Sequence, residues 1–172
     1  MKPLKTIILI SALFLFALPS KAQMDFTVQG NAAIPATDYR HAYPTGYGFG
    51  AKASYSITDN VFISISGDFI NFNNDLTSLI KLQKIPVQLS GEYKFNIKKF
   101  HPFVGAGAGL MFHRLIVTDI RANKTKFAAN AFVGTQFDVS QKIYLSLNTR
   151  FVWDNDSPMF NLSIGAGWRI AY

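Results

Sequence analysis

Hydrophobic and polar residues alternate along most of this chain, and the longest unbroken run is at its C-terminal end. In residues 160–172, Phe160, Leu162, Ile164, Ala166, Trp168, Ile170 and Tyr172 share one face of an extended strand, and Asn161, Ser163, Gly165, Gly167 and Arg169 share the other. Strands of water-soluble domains run to about 5 or 6 residues. A run of thirteen, oily on one side, small and polar on the other and closed by an aromatic, predicts a strand that crosses a membrane.

The same period of two recurs in seven earlier runs, at 25–34, 46–57, 61–69, 83–95, 102–112, 127–138 and 143–153. In the first, Phe26, Val28, Gly30, Ala32 and Ile34 oppose Thr27, Gln29 and Asn31. In the seventh, Ile143, Leu145, Leu147, Phe151 and Trp153 oppose Tyr144, Ser146, Asn148 and Arg150. Eight is an even number, as a closed antiparallel up-and-down barrel requires. The connections alternate in length, with short turns at 58–60, 96–101 and 140–142 and longer loops at 35–45, 72–82, 114–125 and 154–158. The termini therefore share a rim with the short turns, the periplasmic rim of such barrels.

Which face looks outward decides the class. A soluble ligand-binding barrel turns its apolar face inward and covers the other with charge. Here the polar face is mostly Gly, Ser, Asn and Gln with about one charge per strand, which suits the lumen of a narrow eight-stranded barrel. Aromatics also gather at the strand ends: Phe26, Tyr55, Tyr93, Phe95, Phe137 and Tyr172 toward the short turns, and Tyr47, Phe69, Phe112, Phe127, Phe151, Trp153 and Phe160 toward the loops. Two such girdles mark the two membrane interfaces. The fold expected is therefore all-β, an eight-stranded antiparallel up-and-down transmembrane β-barrel.

Residues 1–22 change the picture of the remainder. Lys2 and Lys5 precede an apolar stretch and a Ser20-Lys21-Ala22 cleavage site, the layout of a signal peptide, which leaves 23–172 as a single barrel domain. The chain has no cysteine, which excludes a disulfide scaffold and a thiol-anchored lipoprotein. Its formal charge of +7 falls to +4 when the three lysines of the leader are removed. The remaining cations are scattered rather than gathered into a stripe, so no nucleic-acid partner is expected.

On this pattern the chain resembles the small outer-membrane β-barrel family of Gram-negative bacteria, of the OmpX and OmpA-transmembrane-domain type. The resemblance covers the whole of 23–172. Its most specific feature is the ending Gly165-Ala166-Gly167-Trp168-Arg169-Ile170-Ala171-Tyr172, which looks like the signal read by the barrel-assembly machinery. It implies a recognition role for Gly165, Trp168, Ile170 and Tyr172 and a place in the outer membrane. Pro86 departs from the pattern, because a proline removes a ladder hydrogen bond, and a bulge is expected there.

The expected inward charges are Lys52, Lys84, Lys94, Arg150 and Arg169 against Asp68, Glu92 and Asp138. Unpaired charges in a narrow lumen are costly, so pairing is expected. Counting back from the 72–82 loop pairs Asp68 with Lys84, and Glu92 is placed near Arg169. These groups read as a polar plug, with a narrow path for ions or small solutes as the alternative.

Candidate chemistry is sparse. The glycines at 105–109 and 46–50 fit neither a dinucleotide nor a phosphate loop. His41, His101 and His113 have no metal-ligand spacing, and Asp154-Asn155-Asp156 lacks the glycine and distal glutamate of a calcium loop. No catalytic residue, cofactor or metal is expected, and a lipid-modifying enzyme or a secreted lipocalin-like binder is the weaker reading. Arg40, Lys81, Arg114, Arg121, Lys124 and Lys126 lie on the loop side, where lipopolysaccharide phosphates are the expected partners alongside outer-membrane lipid. The protein is read as a monomer with a structural or surface-interaction role.

Overall fold

A computed structural model describes residues 23–36, 45–73, 80–117 and 120–171. The proposed leader at 1–22, Tyr172, His41 and Arg40 lie outside the described residues. Eight strands follow in chain order: β1 (Gln23–Pro35), β2 (Gly46–Ser56), β3 (Val61–Asn73), β4 (Ile80–Lys94), β5 (Phe100–Val117), β6 (Ile120–Asp138), β7 (Ile143–Trp153) and β8 (Met159–Ala171). Each pairs antiparallel with the next and β1 pairs with β8, from Gln23 opposite Ala171 to Pro35 opposite Met159, so the barrel is closed. Closure leaves no unpaired sheet edge inside the bilayer, which a strand structure in lipid requires.

The alternation sets the two faces. Phe49 and Ile164, on the outer face, are 68% and 69% exposed, whereas Lys84 and Arg150, on the inner face, are 1% and 3% exposed. Four strands run further toward the loops than expected, β3 and β4 by a few residues and β5 and β6 by the most. The segment 114–125 was expected as a loop, but β5 continues to Val117 and β6 begins at Ile120, in register from Val117 opposite Ile120. With water on both sides above the membrane, such a hairpin has no reason to alternate, and its Arg, Asn, Lys and Thr read as loop.

The expected bulge at Pro86 is absent. The β3–β4 register is the same below and above it, Gly67 facing Val87 and Ile70 facing Lys84. Pro86 stays in register with Met111 of β5. The missing N–H opens the ladder on the β3 side only, without inserting a residue.

The inner face is layered. Toward the outer end, Ala33, Ile70, Phe72, Met111, Ala128, Val152 and Met159 form an apolar cluster with Leu82 packed against it. Below it, polar and charged side chains fill the barrel together with Phe62, Phe103, Phe132 and Tyr144. The lumen is thus a packed interior with its own hydrophobic layer.

Candidate functional site: the lumen and its outer mouth

Four lumen aromatics sit on glycines of the neighbouring strand. Phe72 is in register with Gly46, Phe103 with Gly134, Phe132 with Gly105 and Tyr144 with Gly167. A Cβ at any of these glycines would meet the ring. The same rings receive the lumen cations on their faces: Lys84 over Phe72 at 5.5 Å, Lys52 over Phe103 at 4.9 Å, Arg150 over Phe132 at 5.5 Å and Arg169 over Tyr144 at 5.8 Å. Lys94 stands 3.8 Å over Phe62. Stacking a cation on a desolvated ring supplies part of the attraction lost with water.

Acids complete the arrangement. Asp68 accepts from Arg150 at 3.1 Å and from the amides of Gln29 and Asn31, each at 2.8 Å. Arg150 reaches Ser66 at 3.3 Å and Gln88 at 3.4 Å as well. Lys52 donates to both oxygens of Glu92 at 3.1 Å. Lys94 donates to Asp25 at 2.8 Å. Arg169 forks onto Asp138 at 3.2 and 3.3 Å, and the second Asp138 partner is His101 at 2.9 Å.

One expected pairing is overturned. Asp68 does not pair with Lys84, because the register places Lys84 opposite Ile70, one inward position higher, and the lumen is narrow enough for Asp68 to meet Arg150 on β7 across it. Glu92, expected in the inner half near Arg169, is paired with Lys52, and the Arg169 guanidinium turns to Asp138 and to Asp25 at 3.6 Å. Asp25 was not among the expected inward charges, although it shares its parity with Thr27, Gln29 and Asn31.

The outer mouth has a different construction. Lys84 donates to the carbonyl and the hydroxyl of Ser157 at 2.6 and 2.7 Å. Asp154 accepts from the backbone N–H groups of Asp156 and Ser157 at 2.8 and 2.7 Å and lies 3.4 Å from His113. Asp156 bridges Lys124, at 3.0 Å, and Lys126. Residues 154–158 are therefore tied to β4, β5 and β6 at the outer mouth. Burial works against ionisation of Asp154, but His113, the two N–H donors and Lys84 outweigh it and hold the carboxyl well below the ordinary carboxylate range. Hydrogen bonds from Lys126 and Lys124 lower Asp156 in the same direction.

Of the proposed assembly-signal residues, Trp168 and Ile170 face outward on β8, and the Trp168 ring stacks on Phe26 at 5.6 Å. Gly165 sits on the lumen side, in register with Ser146 and Gln29. Ser157 was not anticipated. Its one signal was its place in a polar loop beside an inward lysine, which no spacing rule reads.

Comparison with known proteins places this geometry. A model of the outer membrane protein beta-barrel domain matches residues 7–169. No curated protein matches the sequence. Neisserial surface protein A is similar in structure, with 16% identity, a TM-score of 0.61, and 90% of this chain and 98% of that one covered. The N-terminal β-barrel domain of Pseudomonas aeruginosa OprF shows 14% identity and a TM-score of 0.61, covering 85% and 97%. Ail, the attachment invasion locus protein of Yersinia pestis, shows 14% identity and a TM-score of 0.60, covering 87% and 98%.

Proposed function

Because this chain belongs to the outer membrane protein beta-barrel domain family and is an outer-membrane protein, we propose that it works as a sealed barrel, a structural and surface-interaction protein rather than a pore. The observation that carries this reading is the apolar layer of Phe72, Met111 and Met159 across the outer lumen, above charges already paired with one another. An ion entering would have to shed water at the apolar layer and then displace an ion pair. Enzymatic work is not part of this reading.

The surface role falls to the outer rim. Lys81 and Arg114 are exposed there on the outer side of β4 and β5, within reach of lipopolysaccharide phosphates. Ail has been crystallised with the heparin analogue sucrose octasulfate, which supports an anionic surface partner for a barrel of this shape. Trp168, Ile170 and the C-terminal aromatic serve recognition by the assembly machinery during insertion.

Planar-bilayer recording tests the sealed lumen. The purified wild-type protein should give no steady conductance, and Phe72→Ser with Met111→Ser should introduce discrete openings. Steady wild-type openings would sink the reading.

A further inference from the structure

The short-turn rim carries its free positive charge on one arc. Ile97 and Phe100 exchange backbone hydrogen bonds, so Lys98 and Lys99 form the tip of the β4–β5 turn. The β6–β7 turn stands beside it, because β5 and β6 are neighbours and the Asp138 N–H donates to the Lys99 carbonyl. That second turn adds Lys142. All three lysines are exposed, and among the described residues their ammonium groups have no hydrogen-bond or ion-pair partner. Asp138, at the end of β6, is already taken by Arg169 and His101. The remaining short turn, at 58–60, carries Asp59 and no cation.

Lys98 is held at a φ of 54°, a conformation that glycine takes without steric cost. A lysine keeps an ammonium group at the tip despite that strain, and nothing described inside the chain uses it. Within and beside the same two turns, Phe95, Ile97, Phe100, Phe137, Val139 and Ile143 are exposed. They continue the lipid-facing wall to the rim, where aromatic side chains mark the membrane interface. Lysine stems lie along such a surface and carry their charged heads to the level of the lipid headgroups.

We propose that this arc of the short-turn rim binds the headgroup of an anionic phospholipid, with the phosphate at Lys98, Lys99 and Lys142 and the acyl chains against the apolar residues beside the turns. Cations next to a membrane surface attract anionic lipid, and a zwitterionic lipid brings its own ammonium group, which offsets the gain. The apolar surface favours a lipid over a water-soluble anion, because only the lipid brings chains to cover it. The site lies at the opposite end of the barrel from the apolar lumen layer, so it does not rest on the sealed-lumen reading.

The test follows amide chemical shifts of the full barrel in phosphatidylcholine nanodiscs as phosphatidylglycerol replaces a rising share of the lipid. Ile97 and Ser140 should shift saturably, and Thr58, on the same rim in the turn without a cation, should stay in place. Lys98→Gln with Lys99→Gln and Lys142→Gln should weaken the response at least about tenfold, whereas arginine at the same three positions should keep it. Ile97→Ser with Val139→Ser, which retains the cations, should weaken it as well. Glycerol phosphate added to phosphatidylcholine nanodiscs should shift neither reporter. The proposal is overturned if Thr58 moves with the others, the mark of diffuse surface potential, or if the triple glutamine variant responds as the wild type does. It is equally overturned if the serine variant keeps the full response or if glycerol phosphate alone saturates the site, since the ligand would then be a soluble anion.

Discussion

At the inner end of the lumen every described cation meets an acid carried by another strand, Lys94 with Asp25, Lys52 with Glu92 and Arg169 with Asp138, whereas at the outer end Lys84, Lys124 and Lys126 reach for residues 154–158 of the β7–β8 connection. Strand-to-strand pairs are fixed by the closed register and separate only when the barrel unfolds. Strand-to-loop pairs separate when one loop lifts, a local opening that leaves the ladders intact. The inner contacts therefore belong to global stability, and the outer ones to local opening.

The largest effect should come from breaking a strand-borne pair. Arg150→Ala leaves the Asp68 carboxylate buried with only the Gln29 and Asn31 amides as donors, at a cost of about 3–5 kcal/mol. Adding Asp68→Ala should recover part of that loss, because the uncompensated charge is gone. Urea titration in micelles, read by heat-modifiable gel mobility, measures both. A double variant less stable than Arg150→Ala alone would mean that packing on Phe132, rather than the charge pair, is what position 150 contributes.

A smaller, local effect is expected at the outer contacts. Asp154→Ala removes the acceptor for the Asp156 and Ser157 amides and should cost about 1–3 kcal/mol of loop protection, with global stability nearly unchanged. The pH dependence follows in sign. A carboxyl whose folded pKa is depressed contributes stability that is fully present above its unfolded value, about 3.9, and is lost as pH falls through the depressed value. Exchange of the Asp156 and Ser157 amides, corrected for intrinsic rate, should stay slow at pH 5 and quicken only in stronger acid. Loss of protection between pH 7 and 5 would show that Asp154 does not control the loop.

The same contrast explains what the sequence discloses. The two faces, the strand number and the alternation of turn and loop are carried by local period-two pattern, because lipid on one side and a narrow lumen on the other impose opposite demands on successive residues. Pairing across the lumen is not local. Asp68 and Arg150 meet from β3 and β7, which share no ladder, and only the stagger of the closed barrel brings them level. Phe132 and Tyr144 have inward parity in the sequence, but a ring there requires a glycine beside it, and Gly105 and Gly167 become its partners only once register is known. Ser157 carries no pattern at all, since a connection of this kind is shaped by the side chains it is tied to, here Lys84.

The smallest effect tests whether the inner end depends on its turns. The β4–β5 turn is tight, with Ile97 and Phe100 exchanging backbone hydrogen bonds at 3.0 and 2.9 Å, and it forces Lys98 to a φ of 54°. That left-handed conformation costs a residue with a Cβ about 1 kcal/mol, part of which glycine returns through its greater freedom when unfolded. Lys98→Gly should therefore stabilise the barrel by roughly 0.5 kcal/mol and leave the amide shifts of Lys52, Glu92 and Lys94 in place. The strands alone then hold the inner charges, and the turn merely joins them. Displaced shifts at Lys94 or Glu92 would make the turn part of the inner contacts and erase the distinction between the two ends.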